Sequence, residues 1–216
     1  MNNIIAEIVP DSNYHIFNRG NNSEDVFINH QDYDHFIGLI IKYVLPISNI
    51  YSWVLMKNHF HFVLHIKDNI AYKWTKRTIP KGKEFNLWET IEANSENKYN
   101  KAPNPSNHFR HLFNSYATYF NLKYDRHGSL FEKPFRRVLI NNDLHLKNEI
   151  IYVNNNPVKH GFSDNIYSWK YSSVSSYFSD NNTFVDRDFI LTLFNDVDNL
   201  KFVLGNHNLE SNINDY

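Results

Sequence analysis

The run Asn49-Ile50-Tyr51-Ser52-Trp53-Val54-Leu55-Met56-Lys57-Asn58-His59-Phe60-His61-Phe62-Val63-Leu64-His65-Ile66 is the most informative stretch of the sequence. Asn49 to Met56 is rich in β-branched and aromatic residues, Lys57-Asn58 has the composition of a tight turn, and His59 to Ile66 alternates again. The pattern predicts a β-hairpin. On a strand, residues two apart point to the same face, about 6.5 Å apart at ~3.3 Å of rise per residue. His59 and His61 can therefore converge on one divalent metal while Phe60 and Phe62 enter the core. His65 shares their face but lies ~13 Å beyond His61, too far to join the same ion. A lone His-x-His also occurs in strands that bind nothing.

The flanking segments extend this hairpin into a fold. Asn13 to Asn18 alternates and ends at Arg19-Gly20, a strand running into a turn. Gln31 to Leu45 carries Phe36, Leu39, Ile40, Tyr43 and Val44 at helical spacing, and Pro46 ends it. Asn107 to Tyr124 is a second helix with Leu112, Phe113, Tyr116, Tyr119 and Phe120 on one side, closed by His127-Gly128. Phe135 to Ile140 is a short strand. Asn142 or Asp143 can cap a third helix through about Asn155, where Pro157 should stop it. Lys67 to Ser106 is polar and punctuated by Pro80, Pro103 and Pro105, and reads as an insertion or flexible excursion. Asp186 to Val203 can form one or two helices. The order strand, helix, strand, strand, insertion, helix, strand, helix predicts an α+β fold. It is a ferredoxin-like antiparallel sheet with helices packed on one face, a catalytic domain over 1–179 and a helical extension over 180–216.

Composition narrows the chemistry. The chain has 216 residues and no cysteine, which excludes disulfide scaffolds, thiol nucleophiles and thiolate-bound zinc. Asn is abundant, with 33 residues. The net charge of −1 argues against a protein that coats nucleic acid, yet it is a sum of opposed parts: +4 over 1–179 and −5 over 180–216. The mildly basic part suits a short single strand, and the acidic tail is expected to lie away from it. No targeting segment opens the chain, and the longest apolar stretch falls short of the ~20 residues that span a bilayer. A soluble, cytoplasmic protein is the expectation. No Gly-x-x-x-x-Gly-Lys-Ser/Thr loop or dinucleotide fingerprint is present.

A second segment bears on the His pair. Tyr152 and Asn156 are four apart, hence on one helix face about 5–6 Å from each other. A phenol is a nucleophile and an amide oxygen a hard metal ligand. Both also have plain structural readings. A Tyr beside Ile150 and Ile151 packs as a core residue with a wet tip, and an Asn before Pro forms turns.

The residues together resemble a known family. Trp53 through Leu64, with His59-Phe60-His61 at its centre, is similar to the His-hydrophobic-His signature of the single-tyrosine HUH transposases. Tyr152-Val153-Asn154-Asn155-Asn156-Pro157-Val158-Lys159-His160-Gly161-Phe162 resembles the tyrosine-bearing helix of their REP-associated tyrosine transposase branch. Further matching segments are Tyr14 to Asn22, Asn121 to Phe131, and Tyr167-Ser168-Trp169 with Tyr171-Ser172-Ser173, so the resemblance spans roughly residues 14 to 177. Lys57, and Glu132-Lys133-Pro134-Phe135-Arg136, depart from the family's usual pattern.

The resemblance implies an enzyme that nicks and rejoins single-stranded, hairpin-containing DNA in the bacterial cytoplasm, bound to the nucleoid and working as a homodimer. His59, His61 and Asn156 would hold Mg²⁺ or Mn²⁺, which polarises the scissile phosphate. Tyr152 would attack it to give a 5′-phosphotyrosyl link. Tyr116 and Tyr119 compete for the nucleophile's role, but the family's Tyr-x-x-x-Asn-Pro spacing falls on Tyr152. Arg19, Lys57, Lys133, Arg136, Arg137, Lys159 and His160 flank these segments and are the expected DNA-binding cations. Two rivals remain: a metal-dependent nuclease that activates water, and a non-catalytic single-strand binding module, a shape shared by RNA-recognition domains.

Overall fold

A computed structural model of the chain describes residues 5–79, 83–93 and 101–206. The elements run β1 (Ser12–Arg19), α1 (His30–Tyr43), β2 (Ser48–Met56), β3 (His59–Ile66), β4 (Ile70–Ile79), β5 (Lys83–Glu92), α2 (Pro105–Lys123), β6 (Arg136–Ile140) and α3 (Asp143–Lys159). Three short helices follow: α4 (Val174–Tyr177), α5 (Arg187–Leu193) and α6 (Val197–Gly205). The main sheet has the order β2-β3-β1-β6 with every pair antiparallel. This is the ferredoxin-like arrangement that the sequence predicts, its two central strands being β1 and β3.

Alternation along the strands sets the two faces. Phe60 meets Phe36 of α1 and Phe113 of α2, with ring centroids 5.1 and 5.6 Å apart. The expectation of helices on one face holds for α1 and α2. The third helix corrects it, because α3 covers the opposite face, where the His61 and Tyr152 rings lie 5.8 Å apart. The sheet is thus covered on both sides, and its two central strands bury a nearly continuous run of side chains.

Local chemistry accounts for the helix ends. Asn29 caps α1, accepting from the Gln31 amide while Asp32 accepts from the Asn29 amide. Asn142 caps α3 through the His145 amide, and Pro105 opens α2 at its first turn, where a missing N–H costs nothing. The stop expected at Pro157 is overturned, since α3 continues to Lys159 with Pro157 inside it. A proline so near the end forfeits a single helical hydrogen bond. The last turn is then closed by Gly161 N–H to Val158 C=O at 3.0 Å and Phe162 N–H to Pro157 C=O at 2.8 Å. Gly161 takes φ +69°, the left-handed conformation that ends helices. Asn156 consequently stays helical, one full turn after Tyr152.

Within 67–106, expected to be an insertion or flexible excursion, the structure places regular secondary structure. Residues 70–79 pair with 83–92 as an antiparallel two-stranded ribbon. Its base is fixed to the body by Tyr72 Oη with His108 Nε2 at 2.7 Å and by Thr90 Oγ1 donating to Pro46 C=O at 3.1 Å. Pro80 lies outside the described residues. Helices α5 and α6 form within the tail, and Ile190, Phe194, Leu200 and Leu204 join the same core as the sheet. Residues 207–216 of the acidic tail lie outside the described residues. Among the described residues no helix is long and apolar enough to cross a membrane.

Candidate active site

His59 and His61 project from β3 on the α3 side of the sheet, their ring centroids 5.3 Å apart. They border a cleft of about 270 Å³ that Tyr152, His160, Arg19 and Arg136 also line. The hydrogen bonds of the two imidazoles follow a common pattern. His59 Nδ1 lies 2.6 Å from Asn58 Oδ1, and His61 Nδ1 lies 2.8 Å from His15 Nε2. An amide oxygen only accepts, so His59 carries its proton on Nδ1 and its lone pair on Nε2. Burial holds the His61 imidazole well below its ordinary pKa, assisted by His15, His59, His160 and Lys159 nearby. Neutral imidazole is the form that binds metals.

One face of α3 presents Glu149, Tyr152 and Asn156, spaced three and four residues apart. The Tyr152 ring stands edge-on to both His61 and His15, with centroids 5.8 and 5.9 Å away. Lys159 Nζ lies 5.3 Å from its ring centroid. Asn156 is fully buried. Its Nδ2 donates to the Tyr152 carbonyl at 3.0 Å, whereas its Oδ1 has no hydrogen-bond partner. A buried acceptor left unpaired costs about 1–3 kcal/mol, and a bound cation would offset that cost. Among the described residues no three His, Cys, Asp or Glu side chains group to hold a metal. His59, His61 and this amide oxygen have the donor chemistry that could hold one, although Asn156 itself is not among the residues lining the cleft.

Glu149 is buried on α3, with Oε2 2.8 Å from His15 Nδ1 and Oε1 3.3 Å from His145 Nε2. Burial alone would raise its pKa, but the charge and hydrogen bonds of His15 and His145 hold it below the ordinary carboxylate value. Neither His15 nor Glu149 was assigned a role from the sequence, although both sit at strand or helix spacing from residues that were.

The rival tyrosines are elsewhere. Tyr116 is buried between α1 and α2, its hydroxyl donating to the Val26 carbonyl at 2.6 Å, and burial pushes its phenol far above the ordinary value. Tyr119 donates to Asp32 at 3.1 Å in the same layer. Both lie across the sheet from His61.

The expected DNA-binding cations divide. Arg19, Arg136 and His160 line the cleft, and Glu132 bridges the two arginines at 2.6 and 2.9 Å. Lys159 adjoins Tyr152, and Lys57 is exposed in the β2–β3 turn. Lys133 borders a second, larger cleft of about 1110 Å³ beside α2, together with Arg110, which sequence reasoning missed. Asn18 lines both clefts. Arg137 does not reach either one. It follows Arg136 on β6 and so faces the other side, where its guanidinium donates to the Ala6 and Phe135 carbonyls at 2.6 and 3.1 Å.

These features define a ferredoxin-like protein with a two-histidine, one-tyrosine cleft between its sheet and its third helix. Among solved structures the chain is similar to a REP-associated tyrosine transposase bound to a REP hairpin. The two are 15% identical, with a TM-score of 0.53, and the match covers 86% of this chain and 94% of the other. At that identity the likeness is one of fold. No protein-family model and no curated protein matches the chain.

Proposed function

We propose that this protein is a metal-dependent enzyme that nicks and rejoins single-stranded, hairpin-containing DNA through a 5′-phosphotyrosine on Tyr152. The observation that carries the reading is the meeting of Tyr152 with His59 and His61 at one cleft, one helical turn from the unsatisfied Asn156 Oδ1. The likeness to a transposase bound to a REP hairpin supports the class of nucleic acid.

Mg²⁺ or Mn²⁺, held by His59, His61 and Asn156, would supply Lewis acidity at the scissile phosphate. The chain's own groups do the remainder. The Tyr152 oxygen forms a bond to phosphorus as the bond to the 3′ oxygen breaks, and the phenolic proton ends on the departing 3′-OH. In the reverse sense a DNA 3′-OH attacks the phosphotyrosine, reseals a strand and returns the proton to Tyr152. The phosphodiester's energy is stored in the tyrosyl link, so no nucleotide is consumed. Arg19 and Arg136 would exchange Glu132 for DNA phosphates. A homodimer belongs to the same proposal, and sedimentation with and without DNA tests it.

Incubation with labelled hairpin DNA and Mn²⁺ should yield an SDS-resistant protein–DNA adduct, abolished by chelator. A nuclease that activates water would release DNA ends with no adduct and tolerate Tyr152→Phe. A binding module would form no adduct and ignore the chelator.

A further inference from the structure

Glu149 is a buried carboxylate to which the proposed reaction assigns no step, and it is joined to His61 through His15. His15 is fully buried on β1 and makes two contacts of 2.8 Å, Nδ1 with Glu149 Oε2 and Nε2 with His61 Nδ1. His15 Nδ1 and Glu149 Oε2 lie at ion-pair distance from each other and neither makes a well-aligned hydrogen bond. The three groups form a line from α3 through β1 to β3.

With His15 neutral, donor and acceptor arithmetic places the protons along this line. A carboxylate only accepts, so His15 carries its proton on Nδ1. The neutral ring then has its lone pair on Nε2 and accepts from His61 Nδ1–H. The His61 lone pair is thereby left on Nε2, on the part of the ring remote from His15. Without Glu149, His15 could carry its proton on Nε2 and donate to His61 Nδ1. His61 would then be protonated on Nε2, where a proton blocks ligation. Asn58 does for His59 in one step what the Glu149–His15 pair does for His61 in two. Metal-binding histidines commonly donate their second N–H to a carboxylate or carbonyl, which fixes tautomer and ring orientation.

We propose that Glu149 and His15 are positioning residues for the metal site, holding His61 as the Nδ1–H tautomer with Nε2 available to the ion. This rests on the metal reading above and adds two residues to it, neither of which touches the DNA or the reacting atoms.

The tautomer can be read in the metal-free, full-length protein by long-range ¹H–¹⁵N correlation of ¹⁵N-histidine, with His61 assigned from the His61→Gln spectrum. The expected signature is a protonated Nδ1 and an unprotonated Nε2. Mn²⁺ binding followed by electron paramagnetic resonance should weaken about 10- to 100-fold in His15→Phe and in Glu149→Gln. His15→Gln, whose amide oxygen can accept from His61 Nδ1–H, should recover most of the affinity. If His15→Phe does not fold, the tautomer signature of the native protein still decides. Native protein that binds no Mn²⁺ overturns the metal reading itself. Native protein that binds Mn²⁺ but carries the reversed tautomer, or a folded His15→Phe with undiminished affinity, overturns the relay alone.

Discussion

Removing one hydroxyl from Tyr116 and one from Tyr152 should separate stability from chemistry. The Tyr116 hydroxyl donates to the Val26 carbonyl at 2.6 Å in a fully buried position. Tyr116→Phe leaves that carbonyl without its donor, at a cost of about 1–3 kcal/mol. At roughly 2–4 °C per kcal/mol for a chain of this length, the melting temperature should fall by about 2–12 °C. Adduct formation should be unchanged below the transition, because Tyr116 lies across the sheet from His61. Tyr152→Phe keeps the ring contacts with His61 and His15, so the protein should still fold while the adduct disappears. Calorimetry and denaturing gels on the same three preparations make the comparison. A folded Tyr116→Phe protein that forms no adduct, or a Tyr152→Phe protein that still forms one, would refute the reasoning.

Acid should destabilise the protein below neutrality. Burial lowers the pKa values of His61 and His108 from 6.5 in the folded state. The unfolded chain therefore takes up protons first as pH falls through about 6.5, and stability is lost on the way down. Urea midpoints should be lower at pH 5.5 than at pH 7.5, and a midpoint that rises on acidification contradicts this. The adjacent arginines of β6 should also behave differently. Arg136→Ala should weaken DNA binding and reduce its salt dependence, as loss of a phosphate contact does. Arg137→Ala should leave binding intact and lower stability by about 1–3 kcal/mol through its two lost carbonyl contacts. Filter binding across a salt series, beside thermal melts, distinguishes them.

The parts of this molecule legible in its sequence are those governed by local periodicity. The β2–β3 hairpin and the shared face of His59 and His61 follow from alternation, and the Tyr152–Asn156 pair from helical spacing. Misreadings came where a local rule was outweighed. Pro157 signals a stop, but α3 runs through it to Lys159, and Gly161 supplies the true end. In the β4–β5 ribbon, Ile70, Tyr72 and Trp74 alternate as a strand should, yet Lys73, Lys76, Arg77, Lys81 and Lys83 give the segment the composition of a loop. Arg137 was grouped with Arg136 by nearness in sequence, although neighbours on a strand face opposite ways. His15 and Glu149 are 134 positions apart in the chain, and only the pairing of β1 with β3 and the packing of α3 over them make one contact the other. The charge reading required division: the −1 of the whole chain hides the +4 of residues 1–179, which include the cleft.

The central claim is that Tyr152 carries the DNA covalently, and mass spectrometry of the digested adduct tests it most directly. After nuclease trimming, a 5′-nucleotide remnant should be found on the peptide containing Tyr152, joined through its phenolic oxygen, with a 3′-hydroxyl on the released strand. A remnant on a peptide containing Tyr116 or Tyr119, or cleavage that leaves 5′-phosphate ends and no modified peptide, would contradict the account.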